Sequence, residues 1–283
     1  MNRPTVNAAK ITRDSKSNLA LAFVALGRER RNDITIFYAF CRVIDDIADS
    51  AETSAEEKAS ALKAWRKWIR ESTPDEPALA GDVRGLYAKY AIAPAMLDEI
   101  IDGVEMDLGS VRYETFEELR LYCYRVASAV GLVSIEIFGF RNAGCRDYAI
   151  QLGLALQMTN IIRDVGKDLG NERIYLPRED LARFGYSEAD LRARRHNDAF
   201  VRLMQFEASR AEDFFFRAAA VLPREDRRSM VAAEIMASVY HALLRRMKRD
   251  RFRVFDKEYR LSKIEKSGRI AGQLLRLCLN ARR

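Results

Sequence analysis

The sequence predicts an all-α protein, and three observations carry that prediction. Apolar residues recur at three- and four-residue steps over long segments, the period of a helix with one buried face. Only 6 prolines interrupt the chain and its 14 glycines are scattered, so the stretches between breakers are long. Strand signals are correspondingly poor.

The periodicity places helices over Ile34 to Ile47, Phe116 to Phe138, Ala149 to Val165, Phe200 to Leu222 and Met230 to Met247. Breakers separate them: Ser72, Thr73 and Pro74 with Pro77, then Gly139 to Gly144, then Gly170 and Asn171. Pro94 suits the first turn of a helix, and Pro223 is read as opening the next one. Ala51 to Glu76 is more polar and predicts a peripheral helix, whereas Leu169 to Pro177 is the one substantial irregular stretch inside the core. No repeat and no linker divides the chain, so residues 1–283 read as one domain.

With 48% hydrophobic and 31% charged residues, the 283-residue chain has the balance of an ordered globule with a sizeable core. Met1 to Arg13 lacks an apolar core of secretory length, and no run reaches the roughly 18 consecutive apolar residues of a spanning helix. The 4 cysteines form no CxxC pair and there are only 2 histidines, so neither disulfides nor a zinc site are expected and a reducing cytoplasm fits. A net charge of +7 asks for an anionic partner: nucleic acid, an anionic membrane surface or a phosphorylated small molecule. The run Arg245, Arg246, Lys248, Arg249, Arg251 and Arg253 is the one feature of nucleic-acid type, and it reads better as a solvated helix end or an anionic-lipid contact.

Chemistry concentrates in two acidic clusters. Asp45 and Asp49 lie four residues apart on an otherwise apolar helix and so share one face, while Asp46 points to another side. The same step occurs twice in succession in Asn160, Asp164 and Asp168, with Gln157 about one turn earlier. Carboxylates at this spacing repel one another and are costly to bury without a counter-ion. Magnesium suits oxygen ligands and is commonly shared between one or two carboxylates and substrate phosphates, which makes a diphosphate site a better expectation than an all-protein metal cage.

With these residues in place, the sequence resembles the squalene and phytoene synthase family over most of its length. The matching stretches are Phe37 to Asp49 (FYAFCRVIDDIAD), Tyr122 to Gly131 (YCYRVASAVG), Gln157 to Asp168 (QMTNIIRDVGKD) and Arg173 to Pro177 (RIYLP). The resemblance implies an isoprenoid-synthase-type helical bundle around a central cavity, with the two aspartate motifs facing each other across its mouth. It implies that Asp45, Asp49, Asn160, Asp164 and Asp168 hold magnesium, with manganese as the alternative ion, bridging to the diphosphates of two allylic prenyl donors. It further implies diphosphate or near-diphosphate contacts from Lys16, Tyr38, Arg42, Gln157, Arg163, Tyr240 and Lys266, and a place for Tyr122 inside the cavity near a carbocation. Two departures stand out: Leu19 and Ala20 occupy positions where many relatives carry aromatics, and Lys167 stands where an acidic residue often precedes the last aspartate.

The run from Arg125 to Gly139 looks most like bacterial enzymes that join two farnesyl diphosphates to presqualene diphosphate. Phytoene synthesis from geranylgeranyl diphosphate and reduction to squalene with NADPH are the alternatives within the family; a non-catalytic helical assembly factor is the alternative outside it. Intact aspartates argue against the last. Peripheral membrane contact fits a greasy product, and nucleic acid is not an expected partner.

Overall fold

The computed structural model describes residues 8, 10–12, 22–50, 52–109 and 111–280, with side chains to residue 277. Among these residues every regular element is helical, as the sequence predicts. α1 (Arg28–Asp49) buries Ile34, Phe37, Phe40, Ile44 and Ala48, a stripe at three- and four-residue steps. That stripe turns Asp45 away from the core. α2 (Ala55–Trp68) starts at a capping box between Ser54 and Glu57 and buries only Leu62 and Trp65, so it is peripheral as expected. Trp65 meets Phe40 edge-on, with ring centroids 5.6 Å apart. α3 (Ala78–Tyr90) and α4 (Pro94–Glu105) follow, the latter with its proline in the first turn.

The segment read as one helix from Phe116 to Phe138 is interrupted. α5 (Phe116–Cys123) passes through a π turn (Tyr124–Ser128) into α6 (Ala129–Phe138). A π turn carries an extra residue, shifts the faces on either side of it and often marks a functional site. Taken whole, this helix is long and apolar enough to cross a membrane by length and composition. The expectation that no run of about 18 consecutive apolar residues occurs still holds, because Glu117, Glu118, Arg120, Arg125 and Glu136 interrupt it. The apolarity has a use within this fold: Leu119, Cys123, Val133, Ile135 and Ile137 are buried in the core, while Ala127, Val130 and Gly131 line an internal hollow.

α7 (Gly144–Asp168) is the central helix, buried on nearly every side from Cys145 to Gly166. It closes on a 3-10 turn (Leu169–Asn171) and a left-handed Glu172 at φ 58°. The irregular segment expected here runs beside residues 111–114: the Ile174 amide donates to the Val111 carbonyl at 3.2 Å and the Arg178 amide to the Tyr113 carbonyl at 3.0 Å. α8 (Arg178–Arg183) and α9 (Glu188–Arg192) are short, and α10 (Asp198–Val221) runs along α7.

Pro223 opens a 3-10 turn (Arg224–Asp226) rather than a helix, and α11 (Val231–Arg249) begins later. The reason is Asp226, whose carboxylate accepts from the amides of Arg141 and Asn142 at 2.9 Å each and pins the turn to the α6–α7 loop. α12 (Lys263–Asn280) packs on α11. In the basic run, Arg246 pairs with Glu265, Lys248 with Glu212, Arg251 with Asp198 and Arg253 with Asp256, so much of that charge is engaged within the fold. One contiguous apolar cluster joins residues from Ala8 to Leu261.

Candidate active site

A cavity of about 210 Å³ opens where α1, α4, α5 and α7 meet the segment after α7. Arg42, Asp45 and Asp49 reach it from α1, Gln157 from α7 and Tyr122 from α5, joined by Asp107, Arg173 and Tyr175. Of the second motif's stretch only Gln157 lines this cavity; Asn160, Asp164 and Asp168 are not among its lining residues. Asp45 lines this cavity with its side chain exposed to it, although many protein atoms surround its carboxyl. Burial, opposed by Arg42 and reinforced by Asp49 and Asp107, pushes its carboxyl up to about 7. Asp46 lies outside the cavity lining, exposed and paired with Arg42.

Asp49 is held differently. Arg173 Nη1 donates to its Oδ1 at 2.8 Å. At the back of the cavity Asp107 accepts two phenols, Tyr122 at Oδ2 and Tyr175 at Oδ1, each at 2.8 Å. The Tyr122 and Tyr175 rings stack with centroids 5.1 Å apart, and Tyr113 lies 5.8 Å from Tyr122. Burial raises the Asp107 carboxyl against the hydrogen bonds from both phenols, and burial also carries the Tyr122 hydroxyl well above its ordinary range.

The rest of the second motif stands alongside on α7. Arg163 binds Asp164 through Nε at 2.8 Å and Nη2 at 2.5 Å, a bidentate pair. Asn160 donates to Gln157 at 3.2 Å, and its own Oδ1 is buried without a hydrogen-bond partner. Tyr240, on α11, sits beside Arg163 and Asn160, both of which oppose the rise that burial gives its hydroxyl. Asp168 ends the row; burial and then Asp164 push it up to about 7, with Lys167 and Arg173 opposing. Lys167 is exposed to solvent.

Beneath the mouth lies an apolar hollow of about 90 Å³. Two helices contribute to both. Val126 and Gln157 belong to the mouth, and their neighbours Ala127 and Leu156 to the hollow. Gly153 lets the helices close there: a Cβ on it would meet backbone atoms of Ser128 at 2.6 Å. Phe23, Phe138, Tyr148 and Met236 are the bulky lining residues.

Two further expected contacts, Tyr38 and Lys266, lie outside the lining of the mouth. Tyr38 packs edge-on against Phe23 at 6.1 Å, on the hollow's side rather than in the lining of the mouth. Lys266 is half-buried on α12, where burial and then Arg260 lower its pKa, and it does not line the mouth. Lys16, Leu19 and Ala20 lie outside the described residues. Sequence reasoning missed Asp107, Arg173 and Tyr175 as site residues, although Arg173 and Tyr175 fall in a stretch that carried the resemblance. Asp107 had no such signal, because it follows α4 in an irregular segment and no periodicity points to it.

A helical fold with an acidic mouth over an apolar hollow defines a class of protein that handles a ligand with an anionic head and a greasy tail. The sequence model of squalene/phytoene synthase matches residues 12–265, and the chain belongs to that family. It is 36% identical over 264 residues to a phytoene synthase of Mycobacterium tuberculosis, covering 91% of this chain and 86% of that one. It is also 36% identical over 233 residues to a presqualene diphosphate synthase of Rhodopseudomonas palustris, covering 81% and 82%. Among solved structures it resembles a dehydrosqualene synthase in complex with ligand, with a TM-score of 0.83, 26% identity and 95% of each chain covered.

Proposed function

We propose that the protein joins two farnesyl diphosphates head to head into presqualene diphosphate, with release of diphosphate, and that the reaction depends on magnesium. The observation that carries this reading is an acidic mouth and an apolar hollow that share two helices, with Val126 and Gln157 lining the one and Ala127 and Leu156 the other.

The donor set fits a divalent ion. Asn160 Oδ1 is a buried oxygen without a hydrogen-bond partner, and the Asp45 and Asp168 carboxyls are both pushed up to about 7 despite the cations near them. Among the described residues no three acidic, histidine or cysteine side chains crowd closely enough to enclose a metal by themselves, which suits an ion shared with phosphate oxygens. Asp45, Asp49, Asn160, Asp164 and Asp168 would hold magnesium ions together with the diphosphates of the two donors. What a bound magnesium ion supplies there is neutralisation of the charge on a departing diphosphate.

The chain's own residues do the rest. Arg163 uses two of its five N–H donors on Asp164 and has others left for phosphate oxygens, and Arg42 adds a second cation at the mouth. The hollow walls, among them Val130, Leu152, Leu156 and Met236, hold the prenyl chain and keep water from the allylic cation. The likeness to the Rhodopseudomonas palustris protein and the bulk of Phe138 and Tyr148 in the hollow support farnesyl donors. The likeness to the Mycobacterium tuberculosis phytoene synthase, which covers more of the chain, favours geranylgeranyl donors as the second reading.

Incubation of the purified protein and magnesium with either diphosphate, with and without reduced nicotinamide, followed by mass spectrometry of the products, decides among presqualene diphosphate, squalene and phytoene. Substrate left unconsumed in every arm would overturn the enzymatic reading.

A further inference from the structure

Tyr148 and Leu152 line the apolar hollow and also a second space, a groove of about 450 Å³ between α7, α10, α11 and α12. The groove's charge is unbalanced. Its lining carries Arg245, Arg269 and Arg276, and its carboxylates, Glu212 and Glu234, are already engaged. Lys248 Nζ donates to Glu212 at 2.7 and 2.6 Å, and the Tyr148 phenol donates to Glu234 Oε1 at 2.7 Å. Among the described residues none of the three arginines forms an ion pair. Arg269 donates through Nη1 to the carbonyl and the hydroxyl of Ser238 at 3.1 Å each, while its Nε is buried without a hydrogen-bond partner. Arg245 and Arg276 are exposed. Burial and then Arg245 lower the pKa of Arg269, and they lower that of His241 in the same order, so the neighbours of these cations disfavour their charge. Beside the cations lies aromatic surface: His241 stacks on Phe215 with ring centroids 5.2 Å apart, and Phe216 lines the groove 73% exposed.

We propose that this groove binds a phosphate-bearing ligand, with Arg245, Arg269 and Arg276 around the phosphate and Phe215 and Phe216 against the rest of the molecule. Guanidinium groups present paired N–H donors that match the oxygens of a phosphate, and three of them suit an anion with more than one charge and several acceptors. The unmatched Nε–H of Arg269 is costly as it stands, and a phosphate oxygen entering beside it would accept that proton's hydrogen bond. The volume is that of a small-molecule pocket, on the order of 300–1,000 Å³, rather than of a bare ion's seat. This site is distinct from the acidic mouth, since no residue lines both, and it stands whether or not the head-to-head reading does. Its occupant rests on Tyr148 and Leu152, and so touches the wall of the hollow from behind without entering it. A soluble phosphorylated molecule and a lipid headgroup share the chemistry that the arginines recognise.

The test uses Phe216→Trp as a local reporter, because Phe216 lines the groove and its exposure leaves room for the larger ring. Chelator is present throughout, which keeps divalent ions from holding phosphate at the mouth. The reporter protein is titrated with inorganic phosphate, read against potassium chloride at equal ionic strength, and with phosphatidylglycerol vesicles, read against phosphatidylcholine vesicles. The expected result is a saturable change in the fluorescence of the introduced indole. Adding Arg245→Gln and Arg276→Gln should then raise the Kd for the responding probe at least about tenfold. Without ligand the same double change should leave the thermal midpoint level or higher, because both arginines are exposed and pair with no carboxylate. A response to free phosphate identifies a soluble ligand, a response to the anionic vesicles alone identifies a lipid headgroup, and either supports the site. The proposal is overturned by a response that chloride or the neutral vesicles reproduce, by a Kd that the double change leaves unaltered, or by the lack of a saturable change with both probes.

Discussion

Arg173 donates to Asp49 at 2.8 Å across 124 residues of sequence, and so ties the irregular segment after the second motif to the last turn of the first. The same guanidinium opposes the raised pKa of Asp168. One cation therefore acts on both motifs, although neither motif contains it.

Replacing Arg173 with Ala should reduce turnover far more than stability. The Asp49 side chain is 55% exposed, and exposed ion pairs of this kind contribute only about 0–1 kcal/mol. Loss of an oriented cation beside a departing diphosphate costs on the order of 10²-fold in kcat. Diphosphate release read beside the thermal midpoint separates the two effects; a variant with full activity would reduce the clamp to an accident of packing.

Asp45→Ala should abolish turnover without lowering the helical signal or the thermal midpoint, because Asp45 is exposed at the cavity rather than packed in the core. Asp164 needs a gentler change. Its carboxylate satisfies the largely buried Arg163 through two bonds, so Asp164→Ala would leave that cation unpaired and lower the midpoint for reasons unrelated to catalysis. Asp164→Asn keeps an acceptor for Arg163 while removing the charge, and it should match Asp45→Ala in activity. Retained activity in both variants would sink the proposed metal assignment.

How much of this was legible in the sequence depends on whether a feature is local. The stripe Ile34, Phe37, Phe40, Ile44 carries its own period, and the four-residue steps of Asp45, Asp49, Asn160, Asp164 and Asp168 follow from one helix at a time. The π turn at Tyr124–Ser128 left no such trace: apolar residues continue through it, and the extra residue per turn is imposed by packing against α7, where Gly153 admits the Ser128 backbone. Asp107 and Arg173 were passed over for a related reason. Both sit in irregular backbone whose path is set by long-range bonds such as Ile174 to Val111, and residues placed by distant partners carry no periodic signature.

The hollow makes a prediction about chain length. Phe138 is buried and lines its wall, so Phe138→Ala should lengthen the space available to a prenyl tail at a cost of about 3–5 kcal/mol in stability. In a competition between farnesyl and geranylgeranyl diphosphates, the variant should shift towards the longer donor. Phe138→Leu, with a smaller cavity and a smaller penalty, should shift the same way by less. An unchanged ratio in both would show that Phe138 does not bound the tail.

The two raised aspartates set a pH dependence whose sign can be worked out. Asp45 and Asp168 are each pushed up to about 7 in the folded chain, against roughly 3.9 for an unfolded aspartate. The folded state therefore holds these protons more tightly than the unfolded state does. Their contribution to stability is complete below about pH 4 and is lost as the pH climbs through about 7, where the folded chain must carry both charges. In chelator, the difference in thermal midpoint between the parent and an Asp45→Asn, Asp168→Asn double variant isolates this contribution from every other titrating group. The double variant should gain relative to the parent as pH rises from 4 to 8, and each 1 kcal/mol gained would read as roughly 2–4 °C. Magnesium with inorganic diphosphate at pH 8 should raise the parent's midpoint more than either alone, by binding the native state only, and should leave the double variant almost unmoved. Parallel pH curves for the two proteins would mean that the carboxyls titrate as ordinary surface groups and that no divalent ion is needed to compensate them.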